Sequence, residues 1–207
     1  MKNIVAELPQ VSPIPQMSYE DFLEWNGNQG WFEWVNGEVF EMSSPSVLHQ
    51  EIVGFLFLIM SSFIEANKLG KVYVSPIQMK LKKHKTGRQP DLIFVGKENL
   101  GKLKKNYLDG AADLVIEIIS PESRARDRGE KFYEYEAAGV KEYWLIDTER
   151  KQAEFYSLSK DGFFNFELAE NGIFKSKVLQ GLTLKVEWLW QPELPTLMEV
   201  LKDWKLI

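Results

Sequence analysis

Apolar and polar residues alternate along this chain in a pattern that predicts an α+β fold built on a mixed sheet. Two runs of β-branched and aromatic residues, at positions 90–95 and 114–119, predict buried strands. The apolar segment from about residue 47 to 67 predicts a long helix, because a Ser-Pro-Ser motif precedes it and Gly70 follows it.

Turn and capping signals predict the remaining elements. A short helix is expected after Ser18, and Asn36-Gly37 favours a tight hairpin. We expect one domain over residues 17–207, preceded by a proline-containing arm over 1–16. The other expected elements are a polar loop over 82–89, a charged connector over 96–110, a helix over 122–138, an antiparallel meander over 142–168, two short strands divided by Asn171-Gly172 and Gly181, and a closing helix over 193–204.

Each of the two expected buried strands carries one carboxylate. Asp91 follows Pro90 at the start of the first run, and Glu117 lies in the middle of the second. A buried carboxylate is costly unless it is paired, hydrogen-bonded or bound to a metal. Two of them in neighbouring segments therefore predict one shared cation. Mg²⁺ suits hard oxygen ligands of this kind and leaves positions for water and phosphate, and Mn²⁺ is a second candidate.

The helix expected after the Glu117 strand supplies a candidate positive charge. Asp127, Lys131 and Tyr135 are spaced at i, i+4 and i+8, so they lie along one helix face within reach of the same pocket. A cation near an attacking water or a developing negative charge favours phosphodiester chemistry. Lys131 is therefore the predicted catalytic lysine.

Structural roles remain open for all of these residues. Asp127 and Lys131 also fit a surface ion pair of about 0.3–0.5 kcal/mol. Asp91, next to a proline, also fits a turn whose amides it satisfies. A purely structural role is harder to assign to Glu117, because apolar residues flank it on both sides, and taken alone it fits a structural pair and a site equally.

Two upstream residues are further candidates. Glu33 stands among bulky apolar residues in the segment 31–35, where it fits either a site or the solvated side of an alternating strand. His49 lies near the start of the long helix, where capping or packing is the commoner role of a histidine.

Composition and charge narrow the class of protein. The chain has 207 residues, of which 44% are hydrophobic, so it can build a complete core. It has no cysteine, no signal-peptide pattern and no uninterrupted apolar run of membrane-spanning length, which predicts a cytoplasmic protein without membrane contact. The net charge of −5 argues against a general nucleic-acid coat protein, although residues 80–131 hold 13 Lys/Arg against 8 Asp/Glu. That basic segment contains both strand acids.

These residues resemble the Uma-two family over about residues 17 to 190. The upstream blocks are Phe32-Glu33-Trp34-Val35-Asn36-Gly37-Glu38-Val39, Ser44-Pro45-Ser46 with His49, and Gln89-Pro90-Asp91-Leu92-Ile93-Phe94-Val95. The most specific block is Asp113-Leu114-Val115-Ile116-Glu117-Ile118-Ile119-Ser120-Pro121-Glu122-Ser123, which runs into Arg126-Asp127 and Lys131 and then Gly139-Val140-Lys141-Glu142-Tyr143-Trp144-Leu145-Ile146-Asp147.

The resemblance implies a restriction-endonuclease-like fold of the PD-(D/E)XK superfamily, with a mixed β-sheet flanked by helices and an added antiparallel C-terminal meander. It implies Mg²⁺ held by Asp91 and Glu117. The superfamily's lysine lies two residues after the second acid, where this chain has Ile119. Within the family the helix lysine, here Lys131, is the usual replacement, and Lys80 is a second choice.

Three functions follow from these expectations. The first is a Mg²⁺-dependent endonuclease that hydrolyses DNA, with Glu33 as an assisting carboxylate and His49, Asp127 and Tyr135 as accessory residues. A homodimer fits this function, because cutting both strands of a duplex often uses two sites. The second is a catalytically inactive module of the same fold that binds DNA or a protein partner. The third is an assembly protein whose acids are structural and whose aromatic meander presents an interface.

Overall fold

The computed structural model describes residues 16–25 and 31–207. The arm expected over 1–16 therefore lies outside the described residues, apart from its last position. The helices are α1 (Tyr19–Trp25), α2 (Val47–Asn67), α3 (Arg124–Arg128), α4 (Glu130–Ala138) and α5 (Leu197–Asp203). The strands are β1 (Phe32–Val35), β2 (Glu38–Glu41), β3 (Gly70–Val74), β4 (Gln78–Leu81), β5 (Thr86–Arg88), β6 (Leu92–Gly96), β7 (Tyr107–Asp109), β8 (Leu114–Ile119), β9 (Glu142–Asp147), β10 (Gln152–Leu158), β11 (Phe164–Glu167), β12 (Ile173–Lys175) and β13 (Thr183–Lys185).

A six-stranded mixed sheet of order β11-β10-β9-β8-β6-β3 carries most of the core. β8 and β9 run parallel and are connected through α3 and α4, whereas β6 pairs antiparallel with β8. A five-stranded sheet of order β2-β1-β5-β4-β7 and the β12–β13 pair complete the architecture. The expected α+β fold is confirmed, and the meander β9–β10–β11 continues the central sheet.

The two faces of the central sheet contact two different apolar clusters. Along β8, Leu114, Ile116 and Ile118 pack in the cluster that contains α2. Val115 and Ile119 pack in the cluster that contains Tyr135 of α4. Because successive side chains of a strand point to opposite faces, Glu117 faces the α4 side.

Helix α2 matches the predicted long helix at both ends. Ser46 caps it by accepting a hydrogen bond from His49 N, and Lys68 adopts the left-handed conformation at its C-terminus. The helix is long and apolar enough to cross a membrane by length and composition alone. Its buried residues, among them Ile52, Leu56 and Ile59, pack in the main core instead.

Four segments differ from the expectations. The charged connector over 96–110 contains strand β7, which pairs parallel with β4. The polar loop over 82–89 contains strand β5, because Arg88 is buried by ion pairs that no local pattern announces. The helix over 122–138 is divided at Gly129 into α3 and α4. The closing helix begins at Leu197, where Thr196 and Glu199 form a capping box that fixes its start.

Candidate active site

Asp91, directly before β6, and Glu117, within β8, lie opposite each other on two paired strands. β6 and β8 pair with Leu92 opposite Ile116, and continuing this register places Asp91 opposite Glu117. The Asp91 Oδ2 atom accepts a hydrogen bond of 2.7 Å from Ile118 N, which fixes the carboxylate against β8. The structure therefore brings together the two acids that the sequence singled out.

Glu117 is held from the α4 side by two donors. Its Oε1 atom accepts hydrogen bonds from Lys131 Nζ at 2.9 Å and from Tyr135 OH at 2.8 Å. Both donors come from one face of the helix, as the spacing of four residues predicts. Among the described residues, the Oε2 atom of Glu117 accepts no hydrogen bond.

Lys131 is the centre of a buried charge cluster. Its side chain is only 1% exposed, and its Nζ atom lies 2.9 Å from Glu117 Oε1, 3.1 Å from Glu33 Oε1 and 3.3 Å from Asp127 Oδ1. The Asp127 contact lacks hydrogen-bond geometry, so this oxygen is left without a hydrogen-bond partner among the described residues. The reading of Asp127 and Lys131 as a surface ion pair is thus wrong, since both side chains are buried.

Gly129 allows the segments on either side of it to face Glu117. A Cβ atom at this position would lie 2.7 Å from the carbonyl oxygen of Ala125. The chain can therefore break the helix here and still keep Asp127 and Lys131 in contact across the break.

Glu33 is fully buried and contacts the Lys131 ammonium at 3.1 Å. It accepts hydrogen bonds from Arg88 Nη1 at 2.9 Å and from Gln89 N at 3.3 Å, in addition to the Lys131 contact. The pairing of β1 with β5 brings these residues together. Glu33 is not on the solvated side of its strand, and its contacts are those of a residue that positions Lys131.

Glu117 and Glu33, the two glutamates in contact with Lys131 in this cluster, have different electrostatic environments. Burial raises the pKa of Glu117 to about 8, against the attraction of the Lys131 ammonium, and the carboxylates of Asp127, Asp91 and Glu33 act in the same direction as burial. Burial would also raise the pKa of Glu33, but Lys131 and Arg88 outweigh it and lower this pKa to about 2. The Glu117 side therefore has an excess of negative charge that favours a proton or a bound cation.

Burial disfavours the ammonium of Lys131, yet its carboxylate neighbours, Glu117 first and Glu33 second, outweigh burial and raise the pKa of Lys131. This lysine is consequently a permanent positive charge at neutral pH. It can stabilise negative charge, but it is not poised to act as a general base.

The remaining candidates divide between the cluster and a distant position. His49 Nε2 lies 3.0 Å from Asp91 Oδ1, so the helix-start histidine belongs to the site. Lys80 does not, because its Nζ atom lies 2.6 Å from Glu20 and 4.6 Å from the ring centre of Tyr19. The structure thus does not bring the second-choice lysine to the acids.

A cleft of about 590 Å³ opens onto these residues. Asp91, Glu117, Asp127, Lys131 and His49 line it. Its other walls are apolar residues from α2 and β8 and serine-rich segments at 43–46 and 120–123. A volume in this range is typical of a site for a small ligand or for one part of a larger one.

Sequence reasoning missed two arginines of the site. Arg88 falls in the expected polar loop, and its partners Glu33 and Glu134 are separated from it by 55 and 46 positions. Arg126 lines the cleft beside Asp127. The available signal was its place in the most specific sequence block, directly before Asp127.

The residues at the cleft fit a magnesium ion. The described part of the chain contains no group of three or more His, Asp or Glu side chains placed to hold a metal. Mg²⁺ usually needs only one or two carboxylates, with waters and substrate phosphates as its other ligands. Asp91 and Glu117 supply two carboxylates, and the excess negative charge around Glu117 provides the complementary field.

This sheet topology places the protein in the restriction-endonuclease-like fold class. The fold is shared with a solved protein of Anabaena variabilis described as a "putative nuclease belonging to DUF820". The two structures superpose with a TM-score of 0.68 at 15% identity, and the match covers 86% of this chain and 98% of the other.

Residues 19–187 match the Uma2 family, which is described as "Putative restriction endonuclease", and the chain belongs to this family. The expected membership of the Uma-two family is thus confirmed. An uncharacterized protein of Synechocystis sp. is 22% identical over 193 residues, a match that covers 91% of this chain and 98% of the relative.

Proposed function

We propose that this protein hydrolyses phosphodiester bonds of DNA in a Mg²⁺-dependent reaction. The observation that carries the proposal is the position of Lys131. Its ammonium contacts Glu117 at 2.9 Å and lines the same cleft as Asp91. The helix thereby supplies the positive charge that Ile119, at the usual lysine position, cannot supply. The family description supports a nuclease in general terms.

Each residue of the cluster has a chemical task in this proposal. Asp91 and Glu117 would hold Mg²⁺, which supplies Lewis-acid activation of the phosphodiester when bound. Lys131 stabilises the negative charge that develops on the phosphate. Glu33 and Asp127 hold the ammonium in place, and His49 and Tyr135 orient the two acids through the contacts at 3.0 and 2.8 Å.

The test is cleavage of single-stranded and duplex DNA in Mg²⁺ and in Mn²⁺ by the wild type, Asp91→Asn and Glu117→Gln. Both variants keep the shape of the side chain, and we expect each to lose cleavage by roughly a hundredfold or more. Asp161→Asn, in the exposed turn before β11, serves as the control and should cleave like the wild type. Metal-independent cleavage, or full activity in both site variants, would refute the proposal.

A second candidate is a catalytically inactive module that binds DNA or a protein partner. One observation favours this inactive module: the positive charge of Lys131 is already balanced by three carboxylates, those of Glu117, Glu33 and Asp127. Such a cluster can be stable without any metal. Salt-sensitive DNA binding that survives Asp91→Asn, with no turnover by the wild type, would select this candidate.

A further inference from the structure

Three arginines of one short segment differ in how well their charge is matched. Arg124 donates hydrogen bonds to Asp147 at 3.0 Å and to Glu149 at 2.8 Å. Arg128 donates to Glu154 at 2.6 Å and to Asp147 at 3.3 Å. Arg126, between them, has no hydrogen bond to a carboxylate among the described residues.

The nearest carboxylate to Arg126 is already occupied. Arg126 Nε lies 3.9 Å from Glu33 Oε2, too far for a hydrogen bond, and this same Oε2 atom accepts from Arg88 at 2.9 Å. The Nε atom of Arg126 is buried without a partner, and the contact of its Nη2 atom is with the Met42 sulfur at 3.8 Å. A guanidinium with so few partners retains donors for an incoming anion.

The location of Arg126 indicates which anion. Its side chain is 31% exposed and lines the cleft together with Lys131, Asp91 and Glu117. The cleft also contains the carboxylates of Glu122 and Glu149, the latter held by Arg124. Among the described residues that line the cleft, Arg126 is thus a cation with unsatisfied donors, and a phosphate matches the planar fork of a guanidinium.

We propose that Arg126 binds a phosphate group of the nucleic-acid substrate and so positions the strand against Asp91 and Lys131. This inference rests on the proposed nuclease function and adds a substrate-binding residue to it. Arg126 contacts the substrate in this assignment, whereas Arg124 and Arg128 tie the segment to β9 and β10. An arginine that only supported the fold would instead resemble these two neighbours.

The experiment compares cleavage kinetics of the wild type, Arg126→Ala and Arg126→Lys over a series of salt concentrations with Mg²⁺. For Arg126→Ala we expect KM to rise roughly tenfold to a hundredfold, as for loss of a charge-assisted hydrogen bond. The slope of log kcat/KM against log salt should become shallower, by about the amount that one phosphate contact contributes. Arg126→Lys should keep the salt slope and recover part of the loss in KM, because the charge remains while the fork is lost.

Two controls separate this assignment from general effects. Lys160→Ala removes one positive charge at the exposed β10–β11 turn, and Arg128→Lys makes the same replacement outside the cleft. Both should retain the wild-type salt slope. If Arg126→Ala does not fold, Arg126→Lys still tests the contact, because lysine keeps the charge but lacks the planar guanidinium. Unchanged KM and kcat in that variant would refute a phosphate contact through the guanidinium.

The outcomes distinguish the inference from the proposed function. A wild type that cleaves, with an Arg126→Ala variant of equal KM and salt slope, overturns the role of Arg126 alone. A folded wild type that cleaves neither single-stranded nor duplex DNA in either metal overturns the proposed function, and the inference with it.

Discussion

Lys131 stabilises this fold only as long as its carboxylate partners are present. It contacts Glu33 and Glu117 at 3.1 and 2.9 Å, and all three side chains are at most 4% exposed. Removal of one partner of a buried ion pair leaves an uncompensated charge, whereas removal of two opposite charges together costs less. The cluster should therefore show strong energetic coupling.

The first prediction is a double-mutant cycle of Lys131→Met and Glu33→Gln. Lys131→Met should lower the free energy of unfolding by about 3–5 kcal/mol, because it leaves buried carboxylates unmatched. The double variant should be more stable than the sum of the single changes implies, by about 1–3 kcal/mol. Urea unfolding at neutral pH measures all four proteins, and strictly additive effects would contradict the coupling.

The second prediction concerns the pH dependence of stability through Glu117. Its pKa rises from 4.5 to about 8 in the folded protein, chiefly by burial. A carboxyl with a raised folded-state pKa contributes stability below its unfolded pKa, and this contribution is lost as the pH rises through the folded value. The wild type should therefore lose stability between about pH 4.5 and about pH 8 on account of this group.

Glu117→Gln resembles the protonated acid and should lack this loss. The unfolding free energy of the variant minus that of the wild type should therefore increase with rising pH, by on the order of a few kcal/mol. Urea unfolding of both proteins in EDTA near pH 5, 7 and 9 measures it. A difference independent of pH would show that Glu117 is ionised throughout this range.

At the scale of single elements, the break at Gly129 decides where the site residues point. The segments α3 and α4 meet at this glycine, where a Cβ atom would lie 2.7 Å from the Ala125 carbonyl oxygen. A backbone atom cannot move aside as a flexible side chain can. Glycine is therefore required at this junction between α3, which carries Asp127, and α4, which carries Lys131.

The third prediction follows from this close approach. Gly129→Ala should lower the free energy of unfolding by about 1–3 kcal/mol and reduce cleavage, because the junction must shift. Gly54→Ala in α2 is the matched control, since its Cβ atom would meet no atom within 4 Å. That control should be neutral or stabilise by up to about 1 kcal/mol, the usual gain of alanine over glycine in a helix. Equal effects of both changes, measured by urea unfolding, would disprove the requirement at Gly129.

The elements themselves were largely predictable from the sequence. The hairpin at Asn36-Gly37, helix α2 and the strands β6 and β8 appear where periodicity and turn residues indicate them. Strand β5 was missed because the charge of Arg88, its last residue, is balanced by Glu33, Glu130 and Glu134 in distant segments. The division at Gly129 was missed because an isolated glycine is tolerated within many helices.

At the scale of the whole molecule, a bound metal should stabilise the folded state against unfolding. Asp91 and Glu117 come together only when β6 and β8 pair, so the unfolded chain offers no such site. A ligand that binds only the folded protein raises its stability by an amount that grows with ligand concentration, about 2.7 kcal/mol at a hundred times Kd.

The fourth prediction is a rise in the melting temperature of the wild type with added Mg²⁺ or Mn²⁺, which Asp91→Ala should lose. Isothermal titration should likewise show saturable binding to the wild type alone. Asp113→Asn is the control, because Asp113 is a buried acid that binds Gly96 N at 2.7 Å and Lys141 at 2.7 Å away from the cleft. That variant should melt at a lower temperature but keep the metal-induced rise. No binding to the folded wild type would contradict a preformed site.

The sequence by itself determined the α+β class, the two acids at buried strands, and the single face of α4 that holds Lys131 and Tyr135. These features depend on local periodicity, which each segment expresses without its neighbours. Tertiary structure alone decided which charges meet: Glu33 lies behind Lys131, Arg126 lines the cleft, and Lys80 pairs with Glu20. Such contacts join residues far apart in the chain, 60 positions for Lys80 and Glu20 and more for Glu33 and Lys131, and no spacing along the chain encodes them.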